Sequence, residues 1–494
     1  METSTAGSSA TSTPAPRLRR TLTLWDLILY GIIVIQPVAP MSVFGVLSDA
    51  GHGHVVTTLL IAMVAMLFTA FSYGRMARAY PSAGSAFTYV GQEINPALGY
   101  VTGWSMTMDY MLNPMICIIW CSQQAFVFAP GIPYWLWAIF FGGVFTFLNI
   151  QGIKTSARVN TILAAGMGAV VAIFFMVAAR YIFGHPHDGA SFFTRPFYDP
   201  SLFNSKAVLA ATSIAVLSYI GFDGISTLSE EAENPRRNIL FATVLTCLVI
   251  GILSALEVYA AQLVWPASEP FPNTDTAFTF VAGRAWKPMF AILGFTLLVA
   301  NFGSGMGAQI GAARLLYGMG RSKALPQSFF GVVDPKRHVP RNNVVFVGAI
   351  ALAGALLVSF GLFSYGLGAE MLNFGALIAF MGVNMAAFVR YYVRDGGHNG
   401  IPPLVLTVAV IGLVLWPGSH MALLIAAGVG LAIIAIWTPP LAGFTICFFL
   451  WKNLSWKAWL VGGIWMVVGI AAGAWKTRGF RGDLVNFELP PEES

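Results

Sequence analysis

The stretch Ser218-Tyr219-Ile220-Gly221-Phe222-Asp223-Gly224 sets two glycines, two hydroxyls and a carboxylate inside an apolar segment, 207 to 230, long enough to cross a bilayer as a helix. A plain spanning helix has no use for that combination, so the segment reads as a helix interrupted near mid-membrane depth. Interrupted backbone exposes N–H and C=O groups that hydrocarbon cannot satisfy. It persists only where it is buried in protein or lines a polar cavity. The segment 24 to 48 carries the same signal, with Gly31 followed by Gln36, Pro37 and Pro40. Simple kinking for packing accounts for either segment alone and less well for the pair. Two broken spans, the first and the sixth, point to two five-helix halves in inverted orientation with a binding site where the breaks meet.

The membrane setting follows from composition. Of 494 residues 57% are hydrophobic and only 10% charged, against about 25% charged in soluble domains. The apolar residues gather in runs of about 20, which suits helices and not the alternating strands of a barrel. Spans are expected near 24 to 48, 55 to 79, 97 to 127, 134 to 151, 158 to 183, 207 to 230, 238 to 265, 280 to 312, 343 to 365, 369 to 393, 401 to 417, 420 to 437, 439 to 451 and 457 to 475. That makes about fourteen, or about twelve if the proline-cut run 401 to 451 holds fewer. The expected class is an all-α polytopic membrane protein with a five-plus-five inverted-repeat core and extra C-terminal helices. Its parts are a cytoplasmic tail (1–20), a ten-helix core (21–395), an inserted apolar hairpin (396–438), a terminal helix pair (439–480) and a second tail (481–494).

The net charge of +6 does not call for nucleic acid, because the basic residues fall in alternate loops. Arg17, Arg19 and Arg20, Arg75 and Arg78, Lys154 and Arg158, Arg236 and Arg237, the group from Arg321 to Arg341, and Lys476 to Arg481 mark one side. The excess of Lys and Arg assigns that side, and both termini, to the cytoplasm of a plasma membrane. Cys117, Cys121, Cys247 and Cys447 lie inside apolar runs without paired spacing and read as buried thiols. There is no Walker A motif, zinc-ligand pattern or soluble catalytic domain. An enzyme, an ATP-driven pump, and a metal or cofactor site all lose support.

The run Gly221-Phe222-Asp223-Gly224-Ile225-Ser226-Thr227-Leu228-Ser229-Glu230-Glu231-Ala232-Glu233-Asn234-Pro235-Arg236-Arg237 resembles the sixth-helix signature of the amino acid/polyamine/organocation superfamily. Ala312-Ala313-Arg314-Leu315-Leu316-Tyr317-Gly318-Met319-Gly320-Arg321, with Leu325-Pro326 and Pro340 after it, resembles that superfamily's eighth-helix exit. Thr23-Leu24-Trp25-Asp26, Asp109 to Pro114 and Trp475 to Arg481 are most similar to bacterial permeases related to putrescine importers. The resemblance implies a secondary transporter of amino acids or polyamines that works by alternating access, with proton symport as the default coupling. It covers roughly residues 20 to 395 and resumes near 440; the run 401 to 437 departs from it as an inserted hairpin.

Carriers of this family usually hold a substrate carboxylate on the N–H groups of a Gly-rich break in the first helix. Here the run between Gly31 and Pro40 contains two prolines, which have no N–H, although Ile32, Ile33 and Val34 keep theirs. This shifts the expectation towards amines, with putrescine-like amines ahead of neutral amino acids. An ammonium needs carboxylates and aromatic faces. The candidate substrate set is Gly31, Ile32, Gln36, Asp109, Tyr110, Asn113, Tyr219, Gly221, Phe222, Asp223, Asn301 and Ser304. Asp223 has a second reading as the cap of the second half of its helix, and Asp109 as an interfacial charge that snorkels to water.

Proton-coupling candidates are Glu257, Lys154 and Asp223; Glu257 otherwise faces a watery vestibule and Lys154 is otherwise a solvated flank. Glu230, Glu231, Arg236 and Arg237 are expected to pair as a cytoplasmic gate. Gly303, Gly305, Gly307 and Gly311 read as close helix contacts. Partners are then a small amine or amino acid, a proton and membrane lipid. A channel and a transporter-like sensor are the competing classes, but the chain has no S4-like Arg repeat and no added soluble domain.

Overall fold

A computed structural model describes residues 22–81, 85–152, 157–187, 189–229, 231–321, 325–337, 339–394, 400–416 and 421–477. Lys154, Glu230 and both tails lie outside these residues. Among the described residues the chain is helical without strands.

The first span is two helices, α1 (Leu24–Ile35) and α2 (Ala39–Ala50), bent by 45° at the break. Thr23 and Asp26 form a reciprocal capping box that starts α1. Gln36 ends it at φ 70, a left-handed conformation that few residues other than glycine adopt. The second, third, fourth and fifth spans are α3 (Val55–Ala79), α5 (Pro96–Phe128), α6 (Tyr134–Ile150) and α7 (Ala157–Gly184), with a short helix α4 (Ser85–Glu93) between the second and third.

The sixth span starts as α8 (Ser205–Ala215), tightens to a 3₁₀ turn over Val216–Tyr219, breaks at Ile220 and Gly221, and resumes as a second 3₁₀ stretch, Phe222–Leu228. The seventh is α9 (Pro235–Val264). The eighth was expected over 280 to 312. Trp286 is extended and splits that region into a separate helix α10 (Ala277–Ala285) and a longer span α11 (Lys287–Arg321). Pro288 stands in the first turn of α11, where its missing N–H costs nothing. After the small helix α12 (Gln327–Phe330), the core closes with α13 (Arg341–Leu357) and α14 (Tyr365–Phe388), the latter extended by a π-helical turn, Val389–Arg394.

The inverted repeat shows in the packing. α3 lies on α9, α5 on α11 and α6 on α13, and α1 lies on the second half of the sixth span. Each is a span of the first half against its counterpart in the second, as a two-fold axis between the halves requires. The hairpin α15 (Ile401–Leu415) and α16 (Met421–Trp437) packs on itself and on α17 (Pro439–Lys452), while Val405, Val408, Ile425 and Val429 face outward. α18 (Trp456–Lys476) docks on α5 and α14. There Trp104 and Trp465 stack at 4.6 Å and each indole N–H donates to the other's carbonyl.

Glu93, at the end of α4, has no solvent exposure and pairs with Arg390 (3.2 Å) and Arg394 (3.0 Å) on the π turn. The Tyr80 hydroxyl donates to the same carboxylate at 2.7 Å. Arg75 lies 3.8 Å over the Tyr391 ring. This knot ties the loop after the second span to the end of the tenth. A carboxylate so enclosed needs such partners.

Candidate functional site

The two breaks meet at the centre of the core. Gly221 sits at φ 129, and a Cβ there would come 3.0 Å from Ile35 Cγ1 and 3.1 Å from Val34 Cγ1. Gly31, one turn earlier on α1, leaves room for Ile225 and for Thr246 of α9; a Cβ would meet them at 2.5 and 2.8 Å. Neither glycine leaves room for a side chain between the two spans.

Two carboxylates flank this junction and differ in their surroundings. Asp223 Oδ1 accepts from Gly221 N–H at 3.1 Å, and the backbone N–H groups of Asp223 and Gly224 also reach the carboxylate. It caps the helix restart. Asp109, on α5, is 4% exposed and has no hydrogen-bond partner among the described residues. It lies within the field of Asp223, and both act on Tyr73 and Tyr110. Burial so deep does not fit a charge that snorkels to an interface.

An aromatic wall packs where the sixth span restarts. Tyr73 of α3, Phe222 and Phe380 of α14 stand 5.5 to 5.9 Å apart, centroid to centroid. The Tyr73 hydroxyl is buried without a partner among the described residues. Tyr110 packs against Gly311, 3.3 Å from where a Cβ would stand. Sequence reasoning missed Tyr73 and Phe380. Ser72-Tyr73-Gly74-Arg75 does interrupt the apolar pattern of the second span, whereas nothing local marks Phe380. Carboxylates beside aromatic faces in a dry setting suit an organic cation.

Other expected ligands serve as joints. Gln36 Nε2 donates to Ala300 O at 2.7 Å, and its backbone N–H to Ile32 O at 3.0 Å. The Tyr219 hydroxyl is buried and donates to Leu59 O at 2.8 Å, so its ring serves helix packing. Asn301 Nδ2 donates to Ser42 Oγ at 2.9 Å and ties α11 to α2. Asn113 accepts from the Cys117 thiol, and Ser304 is also in hydrogen-bonding reach of that thiol.

The start of α2 offers little to a carboxylate. Ala39 and Met41 N–H turn back to Gln36 O and Val38 O, both at 3.1 Å, and Pro37 and Pro40 have none. Ile32, Ile33 and Val34 lie within α1, away from any helix start.

Of the expected gate, Glu231, Arg236 and Arg237 lie among the described residues. Among the described residues no ion pair joins Glu231 or Glu233 to Arg236 or Arg237. Pro235 opens α9 and leaves both arginines exposed, with Arg237 over Phe241. The segment also pairs with the residues that lead into α1 through backbone bonds, Leu22 N–H to Glu231 O (3.0 Å) and Glu233 N–H to Leu22 O (2.8 Å). Of the eighth-span glycines, Gly305 and Gly311 make close contacts, whereas Gly303 and Gly307 face open space.

The face opposite the basic loops is sealed over the junction. The connection between α9 and α11 presses Thr274 and Ala277 onto Gly45 of α2, and Thr279 donates to Gln124 of α5 at 3.0 Å. Asp275, half-buried in that connection, is pushed up to about 6 by burial.

The chain matches the family model described as amino acid permease over residues 38–484. It is 33% identical to the low-affinity putrescine importer PlaP of Escherichia coli strain K12, across 97% of this chain and 98% of that protein. The branched-chain amino acid permease BcaP of Bacillus subtilis strain 168 is 26% identical, across 92% of each. The methylthioribose transporter of the same strain is 26% identical, across 81% of this chain and 88% of that one.

Proposed function

Since this chain belongs to the amino acid permease family, a family of multi-pass membrane transporters and not of enzymes, we propose that it carries a small aliphatic amine of the putrescine type across the plasma membrane by alternating access. The observation that carries the amine over the amino acid is the buried carboxylate of Asp109, without a hydrogen-bond partner among the described residues and within the field of Asp223 and Tyr73. The resemblance to a putrescine importer supports the same choice. An ammonium that reaches this buried carboxylate loses its hydration. It recovers that loss through a charge-assisted hydrogen bond to Asp109 and through the ring faces. The start of α2, where Pro37 and Pro40 have no N–H and Ala39 and Met41 turn theirs back to carbonyls, gives a substrate carboxylate no comparable hold.

The positive-inside pattern sets the basic loops and both termini in the cytoplasm. The seal at Gly45 and Gln124 then closes the outer route. Transport requires the outer seal to part as the inner approach closes, with Gly221 and Gln36 as the points of bending. Proton symport supplies the drive. The outward apolar face of α15 and α16 meets lipid.

Thermal stability of the purified protein with a panel of amines and amino acids tests this reading, since a ligand stabilises through its occupancy of the folded state. Stabilisation by putrescine is the expected result. Stabilisation by α-amino acids alone would overturn the amine assignment.

A further inference from the structure

Helix α9 carries a single carboxylate, Glu257, and it has no solvent exposure. Neither of its oxygens has a hydrogen-bond partner among the described residues. Ser254, three residues earlier on the same face, is 1% exposed, and its hydroxyl is also without a partner. Buried serines elsewhere in the core donate to the carbonyl one turn back, as Ser122 does to Ile118 and Ser213 to Leu209. Ser254 does not.

The position of the pair is fixed by its neighbours on α9. Gly251 lies at the level of Tyr219, beside the sixth-span break, and Gln262 donates to Gly53 O near the sealed face. At 1.5 Å per residue, Glu257 stands about 9 Å from the level of the break and about 7.5 Å from the level of Gly53. It is therefore separate from the carboxylates at the junction.

The titratable groups on the elements packed against α9 are engaged elsewhere or exposed. Tyr219 donates to Leu59 O, His54 is held by Gly51 O and Asp199 N–H, Asp223 caps its own break, Asp26 caps α1, Arg284 pairs with Glu269, Arg75 lies over Tyr391, Tyr181 stacks on His185, Tyr73 stands in the aromatic wall, and Tyr30, Asp49, Arg78 and Arg180 are exposed. None of them places a charge at Glu257. An ionised carboxylate at such depth costs several kcal/mol, roughly, so the buried form is the neutral acid. A metal cation would need about six oxygen ligands. No group of three or more acidic, His or Cys side chains gathers among the described residues. One carboxylate and one hydroxyl suit a proton.

We propose that Glu257, with Ser254 beside it, binds the proton whose movement is coupled to that of the solute, at a site distinct from the solute-binding carboxylates. The inference rests on the transport reading above. α9 packs on α2, the half of the first span that bears the outer seal. When that seal parts, water reaches the carboxylate, and hydronium gives up a proton to form one O–H bond. Resealing buries the neutral acid. In the state open to the other side the O–H bond breaks and water accepts the proton.

The test is solute accumulation in proteoliposomes under an imposed pH gradient, interior alkaline, with the membrane potential clamped at zero, compared with putrescine counterflow in the same vesicles. Glu257→Gln keeps the shape and removes the titration. It is expected to lose gradient-driven accumulation at least about tenfold and to keep counterflow within about twofold. Glu257→Asp should keep the gradient response, and Ser254→Ala should shift its pH dependence with counterflow intact. Wild-type-like accumulation by Glu257→Gln, or loss of counterflow in both Glu257 variants, would overturn the proposal. So would wild-type accumulation that ignores the gradient. Absence of counterflow in the wild type would sink the transport reading instead.

Discussion

The breaks of the first and sixth spans touch one another but are held by different means. In the sixth span the means are local. Gly221 supplies the positive φ, and Asp223, two residues on, accepts its N–H. In the first span the residue at positive φ is Gln36, and its side chain reaches Ala300 on the eighth span, 264 positions away. The sixth-span break is therefore a turn whose backbone geometry is fixed within a few residues. The first-span break is tied to α11, so any swing of α1 against α11 must carry or break that bond.

The largest expected effect comes from forcing the local turn. Gly221→Ala adds a Cβ at a φ that L-residues rarely adopt, and sets it against Ile35 and Val34. Strain of this kind costs about 1 to 3 kcal/mol before the contacts are counted. Transport should fall by at least about 100-fold, with lower thermal stability. A variant that transports normally would show that the turn is not needed.

Next come the two carboxylates. Asp109→Asn removes the free partner of the ammonium and should weaken putrescine binding about 100-fold, in line with the roughly 2 to 5 kcal/mol lost when a buried charge pair is truncated. Asp223→Asn keeps an amide oxygen for the Gly221 N–H and should cost only about tenfold. Titration calorimetry separates the two. Equal losses would erase the distinction between a held and a free carboxylate.

The first break offers a finer comparison. Gln36→Ala and Gln36→Gly both lose the bond to Ala300, but glycine also relieves the left-handed backbone. The glycine variant should be the more stable of the two by about 1 kcal/mol in thermal or chemical unfolding. Reversal of that order would mean that Gln36 is not strained.

The smallest effect lies outside the membrane. Asp275 is held up to about 6 by burial in the connection over the outer face. An acid raised above its unfolded value of about 3.9 contributes stability that is complete below that value and lost as pH rises through about 6. Asp275→Asn should flatten the dependence of melting temperature on pH between about 4 and 6. An unchanged profile would show that the docked connection is indifferent to this charge.

What the sequence revealed follows from the same contrast. The Gly-Phe-Asp-Gly run encodes its turn within a few residues, and the proline and glycine punctuation of the first span marks the other break, so the inverted repeat was legible. So were the long spans, since apolar runs need no partners to be recognised, whereas the runs at Tyr134–Ile150, Ile401–Leu415 and Ile425–Trp437 form apolar helices of only 10–17 residues. Side-chain direction was not. Tyr219 and Phe222 are three residues apart, yet one packs between helices and the other joins the wall with Tyr73 and Phe380, from the second and tenth spans. Gln36 and Asn301 were legible as polar residues in apolar runs, but their partners lie some 260 positions away. Among the described residues Glu231 and Glu233 do not pair with Arg236 or Arg237, because the helix start at Pro235 turns both arginines to the outside.

The most direct test of the account is counterflow of labelled putrescine in proteoliposomes preloaded with unlabelled putrescine, with wild type beside Asp109→Asn. The account predicts transient accumulation of label by the wild type and none by the variant, although the variant remains folded. Steady leak of label without an overshoot, or an overshoot undiminished in Asp109→Asn, would contradict it.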